Sequence, residues 1–271
     1  MKVTNKNYYM ERFLVDELEH LKRAVACKWD AVILIDGVEG SGKDTIGDQV
    51  AYYLDPTYNL SNKVFTPEQF EKAVDKASKG QAVYWCEFGL GGLATDAMTT
   101  VQGMILKKLT TIRSKGLVII LAMSWIFELR KYFAIGRTRF LLHTTTPDGI
   151  ERGFFKFYGF DNKRQLYIAG KKNYTYHGAT YNKRGRFPNT EGLFYDQEEY
   201  EVKKQEAIKS ICLTKKGHKV EKWKVQRDKA IIALLKYETQ KEVASKTGLS
   251  QQVVCSINLT TQDKDSLMVE L

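Results

Sequence analysis

Lys43 closes the run Gly37-Val38-Glu39-Gly40-Ser41-Gly42, and Asp44 and Thr45 follow it. Glycines at this density let the backbone bend so that successive amide N–H groups converge on one point, and a helix starting there adds the positive end of its dipole. The chemistry such a loop offers is the binding of phosphate oxygens, with the Lys43 ammonium reaching the outer phosphates of a nucleotide. The pattern departs from G-x-x-x-x-G-K-[ST] at one position, because Asp44 stands where a hydroxyl normally holds magnesium. A carboxylate is an equally hard oxygen donor, so Asp44 is a candidate Mg2+ ligand. The second candidate group is Glu87, at the end of Val83-Tyr84-Trp85-Cys86-Glu87. ATPases with this loop place an acidic pair there, one member on the metal side and one activating water. Here Cys86 replaces the first member, and a neutral thiol is a poor magnesium partner. Two readings stay open: Asp44 supplies the metal-side charge that Cys86 no longer gives, with Glu87 as a second metal-side carboxylate, or the site binds nucleotide with little or no turnover.

Rigid elements must hold these residues. Residues 31–36, AVILID, are apolar on both faces, as a central strand of a parallel sheet has to be. A helix runs from Lys43 to about Leu54. Residues 66–78 read as a helix with Thr66 as N-cap, Pro67 in the first turn and Gln69 closing a capping box. Strands expected at 81–87, 117–124 and 138–144 alternate with helices at 96–114 and near 126–133, and an amphipathic helix at 9–26 precedes them. That alternation predicts an α/β fold with a doubly wound, mostly parallel sheet, the arrangement of a P-loop NTPase. Beyond Pro147 the pattern of 152–172 resembles a β-hairpin turning near Asp161 and Asn162, and a charged helix follows at 196–211.

The segments AYYLDPTYNLSNKVFTPEQFEKAVDKASKGQAVYWCEFG and TIRSKGLVIILAMSWIFELRKYFAIGRTRFLLHT, with the later blocks RGFFKFYGF, LYIAGKKNYTY and RGRFP, resemble a family of mobile-element P-loop ATPases. These zonular-occludens-toxin-like proteins are encoded by plasmids, integrative elements and viruses, and are distantly related to the FtsK/HerA DNA translocases. The likeness spans about residues 31–211 and fails at the acidic pair and at Ser124–Trp125, where Pro-Ser is more usual. It implies ATP and Mg2+ at Gly37–Thr45, Glu87 as general base, Ser124 as a polar sensor near the γ-phosphate, and Arg137 as an arginine finger reaching a neighbouring subunit of a homo-oligomer, with a ring as one form. The residues also allow plainer roles: Ser124 capping a helix that starts near Ile126, and Arg137 and Arg139 as surface cations or DNA contacts. The string GSGKDT also resembles the loop of some phage deoxynucleoside monophosphate kinases, which carry Asp at this position.

The formal charge is +10, and it is concentrated. Residues 152–187 hold nine Lys and Arg against Asp161 alone, interleaved with ten aromatics. Aromatic faces can stack on bases, or alternate aromatics can form a core face, and both can hold at once; the reading favoured is a core face for the aromatics, while the cations, Lys171, Lys172, Arg184 and Arg186 among them, meet the phosphates of DNA. Residues 227–260 have a helix-turn-helix pattern in which Val243 and Ala244 face inward, Gly248 makes the turn, Ser250 caps the third helix, and Val253 and Ile257 pack it. Gln251, Gln252 and Ser256 are then the exposed positions able to meet base edges, although a small bundle for protein contacts has the same pattern. The domain division expected is an ATPase domain at 1–212 with a basic extension at 152–187, a linker at 213–224, and a helix-turn-helix domain at 225–271.

Cysteines 27, 86, 212 and 255 form no C-x-x-C pair, which speaks for free thiols in a reducing compartment. The longest apolar stretch, 117–127, is too short to span a bilayer, and the N-terminus lacks an apolar signal core. The expectation is a soluble cytoplasmic protein without membrane insertion. Its function is expected to be ATP binding and hydrolysis in the service of a mobile element's DNA, in translocation, packaging or replication. The rival readings are a nucleoside monophosphate kinase and a non-hydrolysing, ATP-dependent DNA-binding regulator.

Overall fold

The computed structural model describes residues 2–3, 7–86, 103, 105–108, 111–217 and 222–257. Two compact units divide the chain, Met1–Ile211 and Cys212–Leu271.

The first unit is built on a seven-stranded sheet. Its strands are β3 (Ala31–Asp36), β4 (Lys63–Val64), β5 (Ala82–Trp85), β6 (Val118–Met123), β7 (Leu141–Thr145), β8 (Phe154–Tyr158) and β9 (Lys183–Arg186), and β1 (Lys2–Val3) and β2 (Tyr8–Tyr9) form a separate two-stranded ribbon. The order across the sheet is β4-β5-β6-β3-β7-β8-β9. The strands from β4 to β7 pair in parallel, while β8 and β9 pair antiparallel. A parallel strand must be covered on both faces, and β3 divides its side chains accordingly. Ala31, Ile33 and Ile35 enter one core with α1 (Arg12–Ala26) and α2 (Lys43–Leu54). Val32 and Leu34 enter the other, with Phe70 and Val74 of α3 (Pro67–Lys76) and with Phe127 and Phe133. The result is an α/β sheet with helices on both sides, as the alternation of elements predicts.

Helix α3 begins as its sequence says, with the Thr66 hydroxyl accepting from the Gln69 N–H and the Gln69 side chain returning to the Thr66 N–H. The expected helix at 96–114 falls partly outside the described residues; within them, 105–108 and 111–114 are helical. The 126–133 region is a short 3-10 turn at Ile126–Glu128 followed by a π-helical turn at Tyr132–Arg137, and the strand expected from 138 starts at Leu141.

The hairpin expected at 152–172 does not form. β8 ends at Tyr158, and α4 (Phe160–Gly170) follows Gly159. Lys163, Leu166, Tyr167 and Gly170 are buried along one side of that helix, a spacing of three and four. The partner of β8 is β9, with Lys156 opposite Arg184. Both described ends of the segment read as a linker are helical, since α5 runs Gln197–Gly217 and α6 runs Lys222–Leu234; residues 218–221 lie outside the description.

In the second unit, α6, α7 (Gln240–Thr247) and a helical stretch at 251–257 pack around Ile231, Val243, Ala244 and Val254. Gly248 adopts φ 69 at the turn between the last two. The packing residue is Val254, not Val253, which is 38% exposed. Ile257 packs against the cluster, and Gln251, Gln252 and Ser256 are exposed.

Candidate functional site

The glycine-rich loop joins the C-terminal end of β3 to α2, at the edge of the sheet where parallel strands deliver their loops. Gly37 adopts φ 145, and a Cβ there would lie 2.2 Å from the Thr144 hydroxyl oxygen. Gly42 adopts φ 94 as the N-cap of α2, where a Cβ would meet the Phe187 ring at 2.9 Å. No side chain fits at either position, so both glycines are dictated by close approach as well as by φ. Ser41 is buried and does not face the cleft; its hydroxyl bridges the Val38 carbonyl at 2.7 Å and the Thr144 hydroxyl at 2.6 Å. The Gly37 N–H donates to the Ser124 carbonyl at 3.3 Å, so Ser124 holds the loop through its backbone. Its side chain caps nothing, since Trp125 is the N-cap of the 3-10 turn and makes no side-chain cap bond.

Lys43 lies across the loop, donating to the carbonyls of Gly37 at 2.8 Å and Val38 at 2.9 Å. Beside it opens a cleft of about 380 Å³ whose walls include Thr45, Lys63, Arg152, Tyr195 and Lys204. An Arg152 guanidinium nitrogen comes within 3.8 Å of where a Cβ on Gly40 would sit. The first N–H groups of α2 have no intrahelical acceptor and point out of the helix N-terminus. Positive-φ glycines, a helix N-terminus and the cations Lys43, Arg152 and Lys204 around one cleft suit a polyphosphate, while Glu39, Asp44, Asp48 and Glu191 in the same lining keep the cleft mixed in charge.

Two carboxylates of α2, Asp44 and Asp48, four residues apart, line the inner wall of the cleft, Asp48 buried and Asp44 half-buried. Asp44 accepts from the Tyr84 hydroxyl at 3.1 Å, from the Tyr200 hydroxyl at 2.9 Å and from the Cys86 thiol. Asp48 accepts from Tyr58 at 2.7 Å and from Tyr195, and pairs with the fully buried Lys63 ammonium at 2.9 Å. Lys63 also donates to Tyr195 at 2.7 Å and lies over the rings of Tyr84, Tyr195 and Tyr200. Burial opposes the charge on Asp44, but Lys63, Cys86 and Tyr200 outweigh it and hold the carboxyl down at about 2. Burial also opposes the charge on Lys63, and the anions around it, Asp48 first, keep it well above the usual lysine range. The Cys86 thiol is pushed up by burial and stays neutral.

This cage bears on the expected metal role of Asp44. Cys86 and Asp44 are neighbours, as a compensating exchange requires, and Lys63 supplies a countercharge. Asp44 lines the cleft, but three of the roughly four acceptor sites on its carboxylate are taken by the donors of the cage. Among the described residues, no three His, Cys, Asp or Glu side chains converge as a metal set. Glu87 lies outside the described residues.

No protein-family model and no curated protein matches this chain.

Arg137 lies at the other end of β3 from the loop. Its guanidinium pairs with Asp30, which directly precedes β3, whereas the loop directly follows that strand. Six strand residues at ~3.3 Å each separate the two ends by about 20 Å. The sequence motif RTR has cations at both its ends but no information on which sheet edge receives them. Of the expected DNA contacts, Lys171 is tied inward to the carbonyls of Phe127 and Leu129, while Lys172, Arg184 and Arg186 are exposed, Arg186 over the Phe154 ring. Arg152, Asp48, Lys63, Tyr84, Tyr195 and Tyr200 were not singled out as site residues. The spacing of Asp44 and Asp48 on one helix face was the available signal.

A second polar cluster backs the loop. Asp36, the last residue of β3, accepts from the Tyr176 hydroxyl and the Ile126 N–H and pairs with His143 Nδ1 at 2.8 Å. The Tyr176 ring stacks on His143 with centroids 3.9 Å apart. Asp36 and Thr144 thereby fix the loop's first turn from the β7 side, the Thr144 hydroxyl donating to the Asp36 carbonyl at 3.0 Å.

Proposed function

We propose that the chain is a P-loop nucleotide-binding protein of a mobile element that acts on DNA, of the kind its resemblance implies. The observation that carries this reading is the junction of β3, three glycines at positive φ, and α2, with Lys43 and Arg152 beside a cleft of about 380 Å³. In this reading the α2 N-terminus, Lys43 and Arg152 hold the phosphates of ATP, and Arg152 takes the place beside them that Arg137 does not occupy. Bound metal would help to neutralise phosphate charge, but no step is assigned to it through Asp44. Glu87 remains the proposed general base. The exposed cations of 152–187 and the helices at 222–257 are the proposed DNA contacts, with Gln251, Gln252 and Ser256 meeting base edges.

The reading is tested by calorimetric titration of ATP into the wild type and Lys43→Ala. Micromolar binding that falls at least tenfold in the variant supports it; no binding to the wild type overturns it. The caged Asp44 and neutral Cys86 favour a second form of the same reading, a nucleotide-dependent DNA-binding protein without turnover. Phosphate release with and without DNA separates the two: DNA-stimulated release identifies the motor, and unchanged background release identifies the regulator.

A further inference from the structure

Five of the ten aromatics of the basic segment, Phe155, Phe157, Tyr158, Tyr167 and Phe187, are buried, and Tyr176 and Tyr181 pack against the core. Tyr174 is not buried. It is 48% exposed and adopts φ 51, a left-handed conformation that a bulky side chain adopts only when its surroundings impose it. Here a tight turn does so, since the N–H groups of Asn173 and Thr175 both donate to the Gly170 carbonyl. The conformation sets the Tyr174 ring beside Trp125, itself 37% exposed, with centroids 5.9 Å apart at 61°. Phe127 supports Tyr174 from within at 5.8 Å, and Lys171 pins the turn to the Phe127 and Leu129 carbonyls. Two large rings are thus held at the surface on a braced turn.

The charges that flank the rings in the chain are mostly positive: Arg130, Lys131 and Lys172 are exposed, against the exposed Glu128. Exposed rings with exposed cations a few residues away in the chain suit a ligand with flat apolar faces and a repeated negative charge. A duplex hides its base faces in the stack, whereas an unpaired strand offers them. We infer that Trp125 and Tyr174 form a stacking platform for single-stranded nucleic acid. The platform stands close to the loop, because Trp125 also approaches Tyr176 at 6.4 Å, and the Tyr176 hydroxyl donates to Asp36, the residue before Gly37. This inference rests on the nucleic-acid part of the proposed function and names the form of nucleic acid and the residues that grip it.

The test uses the full chain with a fluorescein-labelled oligothymidylate and a labelled duplex of equal length, by anisotropy at fixed salt. Trp125→Ala and Tyr174→Ala should each weaken binding of the single strand about tenfold, the order expected for one stacked base, and leave duplex binding within about twofold. Tyr174→Phe keeps the ring face and should retain wild-type affinity, and matched thermal melts confirm that the variants are folded. Single-strand affinity unchanged in both alanine variants overturns the platform while leaving DNA binding intact. Equal loss for strand and duplex overturns it too, since it marks a charge effect. A wild type that binds neither probe overturns both the platform and the proposed DNA partner.

Discussion

Asp44 brings a negative charge to a loop position that normally carries a neutral hydroxyl. Its position in the loop is that of a metal-binding hydroxyl, yet its carboxylate is turned to Tyr84, Tyr200 and Cys86, with Lys63 as the nearby cation. A carboxyl held at about 2 against an ordinary 3.8 is favoured by the fold in its ionised form. Its contribution to stability is therefore complete above pH 3.8 and is lost as the pH falls toward about 2. Asp44→Asn should be less stable than wild type by about 2 kcal/mol at neutral pH, the size implied by that shift. Urea unfolding across a pH series checks this: the gap should close between about pH 4 and about pH 2. A gap that persists unchanged at the acid end would mean that the charge of Asp44 is not what the cage stabilises.

Helix α2 is constrained from both ends and from beneath. Its N-terminus faces the cleft, and its buried side rests on β5 through Gly47, where a Cβ would lie 2.4 Å from the Tyr84 ring. Replacing glycine by alanine inside a helix ordinarily stabilises by about 1 kcal/mol. Tyr84 is fully buried, and its hydroxyl is engaged by Asp44 and by the Lys43 carbonyl, so it has no room to yield. Overpacking of this kind costs about 1–3 kcal/mol, which outweighs the gain. Gly47→Ala should lower the melting temperature, and a rise in a thermal scan would contradict the packing described for β5 against α2. The same element was readable in advance at its ends: Lys43 and Leu54 bound it because the glycines before Lys43 and the Asp55-Pro56 pair after Leu54 are local signals. α4 is not legible in the same way. The alternating pattern of 152–172 suits a hairpin, but the second half of it is helical and the partner of β8 is the distant β9.

At the scale of the molecule, no helix among the described residues is long and apolar enough to cross a membrane. The first unit contains the whole sheet and the cleft, and α5 continues from it to Gly217. A fragment of residues 1–217 should therefore unfold in one cooperative transition and bind ATP within about twofold of the full chain, if the proposed nucleotide site is right, because each residue assigned to the phosphates lies before Gly217. On the proposed DNA contacts, it should lose sequence preference among DNA probes while keeping salt-sensitive binding, since the exposed Lys172, Arg184 and Arg186 remain. Circular-dichroism melts and competition between DNA probes measure both. A fragment that fails to fold would show that the unit boundary is not a stability boundary.

What the amino-acid sequence determined alone was everything carried by near neighbours: the two-faced apolar strand at 31–36, the glycine turn, the Thr66 capping box, and the alternation that makes the sheet parallel and buried. Their physics needs only a few consecutive residues. Tertiary structure alone decided which charges meet. Lys63 and Asp48 are fifteen residues apart and pair only because the fold brings the first residue of β4 within side-chain reach of α2; Arg137 joins Asp30 because its turn lies at the opposite end of β3 from the loop. An ion pair's partner is chosen by the burial and geometry of whole elements, and residue type says only that a partner must exist.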